Sequence, residues 1–158
     1  MMLDALIAWP GWPWLYGISG VVTIFLLLFA GSVAPLKCAL LLMLDWALSN
    51  LVIAFLGWDR APAMLAPIDA VVGIGILGVA IKHQCPIGRQ IFALFVIGGF
   101  VWAAAFLGER EASRATYMTL NVLWAACVLI AGGPGRDYAA HRWSEWFSVR
   151  SRPTPAGG

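Results

Sequence analysis

Residues 38–58 read CALLLMLDWALSNLVIAFLGW, a continuous apolar run interrupted by one acidic residue, Asp45. A helix rises about 1.5 Å per residue, so crossing about 30 Å of hydrocarbon takes about 20 residues, and this run is long enough. Apart from a few small polar groups it is apolar on every face, so no side of it is built to meet water. Strands of a membrane barrel would instead alternate apolar and polar residues over segments of about ten, and this run does not alternate. It reads as a membrane-spanning helix.

Four further runs repeat the pattern: Leu15 to Ala34, Ala63 to Ile81, Gln90 to Gly108 and Ala115 to Gly132. The breaks carry turn chemistry: Pro35 with Lys37, Asp59-Arg60-Ala61-Pro62, Lys82 to Gly88 with Cys85-Pro86, and Glu109-Arg110-Glu111 before Ser113. Helices joined so briefly have to be antiparallel neighbours. The expected fold is all-α: a polytopic membrane helix bundle of about five transmembrane helices plus a C-terminal interfacial amphipathic helix. Residues 1–132 would form the bundle, and residues 133–158 a cytoplasmic amphipathic helix and disordered tail. The alternative is four spans, with Leu15 to Trp58 holding one span and a re-entrant piece rather than two spans around Pro35.

Composition agrees with a lipid solvent. The 158 residues are 61% hydrophobic and 11% charged, whereas soluble domains run about 45–50% apolar and about 25% charged. Charge is too sparse to hold the chain disordered. A net charge of +2 gives no argument for a nucleic-acid partner. The partners expected are the bilayer and either further copies of the chain or a larger membrane complex.

Positively charged loops are retained in the cytoplasm. Arg60, Arg110 and Arg114 fall on one side of a five-span topology; Lys37, Lys82, Arg89, Arg136, Arg142, Arg150 and Arg152 fall on the other. The amino terminus is therefore expected outside and the carboxyl terminus inside, with the bacterial inner membrane as the default location. No basic segment precedes the first run, so no signal-peptide cleavage is expected.

Trp9, Trp12 and Trp14, with Tyr16, read as an aromatic belt at the outer interface, and Pro10 and Pro13 oppose a premature helix there. Past Gly132-Gly133-Pro134-Gly135, the residues Ala139, Trp143, Trp146 and Phe147 recur at helical spacing, flanked by Arg142, Glu145 and Arg150. Such a helix is expected to lie along the anionic cytoplasmic leaflet. Cys38, Cys85 and Cys127 all map to the cytoplasmic half without paired spacing, so no disulfide is expected. His83, Cys85 and His141 make a poor zinc signature, and no metal or other cofactor is expected.

The informative residues are polar ones placed where lipid should exclude them: Asp45, Ser49 and Asn50 in the second run, Asp69 in the third, and Asn121 in the fifth, with Thr116 and Thr119 nearby. An Asp at the centre of a spanning helix costs about 2.5–3.5 kcal/mol, so it should face the bundle and find a partner. Counting residues from the outer helix ends puts Asn50, Asp69 and Asn121 in one layer about 10–12 Å deep, with Asp45 about 20 Å deep. Ser49 shares a helix face with Asp45. These groups are expected to cluster, either as an interhelical clamp or as a path on which Asp45 and Asp69 exchange protons. Small residues at Ala66, Ala70 and Gly73, and at Gly99 and Ala103, would let helices approach closely. Gly73-Ile74-Gly75-Ile76-Leu77-Gly78 has the letters of a dinucleotide motif without the strand it requires. No hydrolase, zinc-protease or P-loop motif occurs, and no His is available in the spans, so no enzyme activity is expected.

At Leu44-Asp45-Trp46-Ala47-Leu48-Ser49-Asn50-Leu51, with Asn121 and the short basic tail, the chain resembles small multi-pass membrane proteins encoded in tailed-phage and prophage genomes. The resemblance implies a multi-pass membrane protein and supplies no catalytic or binding residue. Three functions fit these residues: a non-enzymatic membrane component that self-associates or serves as an accessory subunit, a holin-like pore former, and a small proton, ion or solute channel or transporter using Asp45 and Asp69.

Overall fold

The computed structural model describes residues 12–57, 61–107 and 114–150. Among them the regular structure is entirely helical: α1 (Trp12–Phe29), α2 (Val33–Leu56), α3 (Pro62–Lys82), α4 (Pro86–Leu107), α5 (Arg114–Ala131) and α6 (Gly133–Arg150). From α1 to α5, helices consecutive in sequence pack side by side, and α2 also meets α5 while α1 meets α6. By length and composition, Val33–Leu56, Ala63–Lys82 and Pro86–Leu107 can each cross a membrane. Thr116–Ala131 and Gly133–Glu145 qualify together as one span bent by 48°, and Trp14–Phe29 is a shorter apolar helix. The described helices thus supply three candidate spans, or four with the bent pair, where the sequence leads one to expect about five. They are compatible with an integral membrane protein.

Two turns explain where helices stop. After α1, Gly31 adopts φ 65°, and the amides of Gly31 and Ser32 reach back to the carbonyls of Leu28 and Leu27. This is a Schellman closure, which satisfies the last carbonyls of a helix and favours glycine at the left-handed position. The break therefore falls at Ala30–Ser32, and the expected break at Pro35 and Lys37 is corrected. Pro35 sits in the first turn of α2, where a missing amide costs nothing because first-turn amides lack intrahelical acceptors anyway. The same closure recurs after α3, with Gln84 at φ 48° and the amides of Gln84 and Cys85 bonded to the carbonyls of Ile81 and Ala80. Pro86 then opens α4.

The buried core forms two groups. One gathers Leu27, Cys38, Leu42, Ile76, Ile91 and Cys127 near the α3–α4 turn. The other, toward the opposite end, gathers Ala61, Leu65 and Trp102, with Tyr117 and Leu120 against them. Large apolar side chains also face outward along the spans, among them Phe55, Val71, Ile74 and Phe100, an arrangement that a water-facing surface does not sustain and lipid does. The glycines of the dinucleotide-like string lie within α3. A Cβ at Gly73 would press on Phe95 and one at Gly75 would touch Leu41, so those two serve close helix approach.

The boundary at residue 132 is softer than the sequence suggests. The amide of Arg136 bonds the carbonyl of Gly132, so the chain bends without unwinding. A Cβ on Gly135 would come within 2.7 Å of Leu26 Cβ, so the first turn of α6 is seated on α1 and belongs to the bundle. Beyond it the described part of α6 is mostly exposed. The tail expected from Ser151 onward lies outside the described residues.

Candidate functional site

Asp45 projects from the middle of α2 into the bundle and is 4% exposed. Asp69, half-buried, projects from α3 two residues after Pro67. The two carboxyls lie within hydrogen-bonding reach of one another. Trp102 of α4 completes the group: its indole Nε1–H donates to Asp69 Oδ2 at 2.8 Å. Three helices meet at this polar group, and the Cys127 thiol of α5 lies close enough to Asp45 to feel its charge.

Chemistry constrains what this pair is. Two carboxylates are both acceptors, so a hydrogen bond between them has to contain a proton, and one shared proton also removes most of the repulsion between them. Asp45 Oδ1 is left without a partner among the described residues, as are the buried indole nitrogens of Trp46 and Trp124. Aromatic rings pack on Trp102 and, on another side of the bundle, on one another. Trp102 packs edge-on to Tyr117 with ring centroids 6.0 Å apart and stacks on Phe106 at 5.9 Å. On the α1 side, Tyr16 meets Trp124 edge-on at 5.3 Å, and a Cβ on Gly17 would touch the ring of Trp46. Such a site can fix helix register and hold a proton in an apolar setting.

The five residues expected to cluster do not all do so. Asp45 and Asp69 come together even though counting along the helices separates their depths. That count assumes helix ends at one level and axes normal to the membrane, and both conditions do not hold for α2 and α3 together. Ser49 is half-buried one turn from Asp45. Asn50 turns back on its own helix, its Nδ2 donating to the carbonyl of Trp46 at 2.7 Å, so it forms no interhelical link there. Asn121 is exposed on α5, which corrects its place in the expected cluster: its side chain faces outward. Trp102 is the functional candidate that the sequence reading omitted. The available signal was an indole inside an apolar span, since a buried indole N–H usually finds an acceptor.

Among the proposed interfacial anchors, Trp14 is 73% exposed and Trp143 is 65% exposed. The side chains of Trp12, Trp146 and Phe147, and all of Trp9, lie outside the described residues. At the end of the bundle near the α3–α4 turn, Lys37 Nζ and His83 Nε2 are 3.0 Å apart, with the ammonium as donor. Cys38, Cys85 and Cys127 are buried free thiols. His141 instead faces Glu145 at 3.3 Å, alongside Arg142. Among the described residues no three His, Cys, Asp or Glu side chains gather as a metal site would require. The chain matches no protein-family model, no curated protein and no solved structure.

Proposed function

We propose that this chain is a non-enzymatic multi-pass membrane component that self-associates or serves as an accessory subunit, and that Asp45, Asp69 and Trp102 clamp its helices in register. The observation that carries the reading is the inward pairing of the two acids beneath the Trp102 indole, which answers the demand that a membrane-embedded acid find a partner. Interhelical hydrogen bonds of this kind contribute about 0.6 kcal/mol each and seldom more than about 2 kcal/mol, enough to select one packing among several apolar ones. In this reading α1 and α5 also cross the bilayer, making five spans, with the amino terminus outside and the basic α6 along the cytoplasmic leaflet. The bacterial inner membrane fits that charge distribution.

A second reading is favoured by one observation: among the described residues, Asp45 Oδ1 and the indole nitrogens of Trp46 and Trp124 have no hydrogen-bond partner. A complete clamp would leave none of them open, whereas a proton path needs open sites for water. Asp45→Asn separates the two. As a clamp, the amide donates to Asp69 and should preserve both assembly and thermal stability, and purified protein in vesicles should pass no more protons than lipid alone. Proton flux through the wild-type protein that disappears in Asp45→Asn while assembly survives would replace the clamp with a conducting role. Fusions of a cytoplasm-dependent fluorescent reporter to the carboxyl terminus test the orientation, and a dark reporter would overturn it.

A further inference from the structure

We propose that the outward face of α5 around Asn121 is a self-association surface, on which a second copy of this chain docks so that the two Asn121 amides hydrogen-bond each other. The inference rests on the self-associating reading above and gives that reading a location. Asn121 lies seven residues into α5 from Arg114, about 10 Å along the axis and so below the interface. Its side chain is exposed and makes no hydrogen bond among the described residues. About a quarter turn round the helix from it, the exposed face continues through Val122, 66% exposed, and Leu129, 61% exposed. Hydrocarbon offers an amide neither donors nor acceptors, and headgroups are too far away to supply them, so a partner side chain is the remaining source.

A second copy is the occupant whose chemistry is already on the page. An amide carries two N–H donors and an accepting oxygen, which makes it complementary to itself, and a two-fold axis brings the same residue of each copy together without any further partner. Ala125, one turn beyond Asn121, is small and half-buried, so the backbones can approach closely enough for the short Asn side chains to meet. The contrast with α4 is useful. Gly99 and Ala103 are also exposed there, and a Cβ on Gly99 would meet nothing within 4 Å, but that face has no polar group needing a partner.

The test uses the full chain in phosphatidylethanolamine and phosphatidylglycerol vesicles, with single cysteines introduced at outward positions and oxidised by copper phenanthroline. The native thiols are buried and supply little background. Val122→Cys should form disulfide-linked dimers, while Phe100→Cys on α4 and Val71→Cys on α3 should not. Asn121→Leu should weaken dimerisation about 3- to 30-fold when protein is diluted into lipid, and Asn121→Gln should retain most of it. Cross-linking through Phe100→Cys in place of Val122→Cys, or dimerisation unchanged in Asn121→Leu, overturns the α5 face and leaves self-association standing. A wild-type chain that is monomeric at every dilution overturns both.

Discussion

Two polar sites lie among apolar helices and receive opposite treatment. On α2 and α3, Asp45 and Asp69 turn inward and meet each other and the Trp102 indole; on α5, Asn121 turns outward and meets nothing among the described residues. The first arrangement is a cost settled within one chain. The second is a cost left for something outside it. In water both would be unremarkable, because exposed amides are solvated. In hydrocarbon the direction in which a polar side chain points separates internal architecture from an interface.

The largest effect should come from breaking the inward site on one side only. Asp69→Leu leaves the Asp45 carboxyl buried alone and orphans the Trp102 N–H, and each unsatisfied group costs about 1–3 kcal/mol. Thermal unfolding in mild detergent should show a loss of about 3 kcal/mol, and a loss below about 1 kcal/mol would mean that the group is not buried as described. Gly135→Val tests how far the bundle extends beyond residue 132. Its side chain would collide with Leu26, so α6 should lift from α1 at a cost of about 1–3 kcal/mol, seen as faster proteolysis between residues 133 and 150. Trp102→Phe keeps most of the ring packing and removes one donor, so about 1 kcal/mol should be lost. Smallest of all, Asn121→Leu should change the unfolding of the monomer by less than about 0.5 kcal/mol. An equally large loss at Asn121 and Asp69 would erase the contrast between the sites.

Much of this was legible in the sequence because it depends on one dimension. Apolar length located the helices to within a few residues, and the cost of burying charge singled out Asp45 and Asp69. What failed depended on rotation and tilt. Residue counts placed Asn50, Asp69 and Asn121 in one layer, but a depth says nothing about azimuth, and Asn50 bonds its own helix while Asn121 faces outward. Pro35 looked like a break because proline disrupts helix interiors; within the first turn it does not. Trp102 was hidden for a related reason, since an indole in an apolar span reads as packing until the carboxylate opposite its N–H is known.

The helix clamp depends above all on Asp45 and Asp69 acting as partners, and a double-mutant cycle in bilayers measures that directly. Asp45→Leu, Asp69→Leu and the combined variant should be strongly non-additive, because removing both acids together leaves neither carboxyl stranded. If the two acids are partners, the combined variant is more stable than Asp69→Leu alone, with an interaction energy of at least about 1 kcal/mol. Losses that simply add would show that the two carboxyls do not meet, and would contradict the clamp.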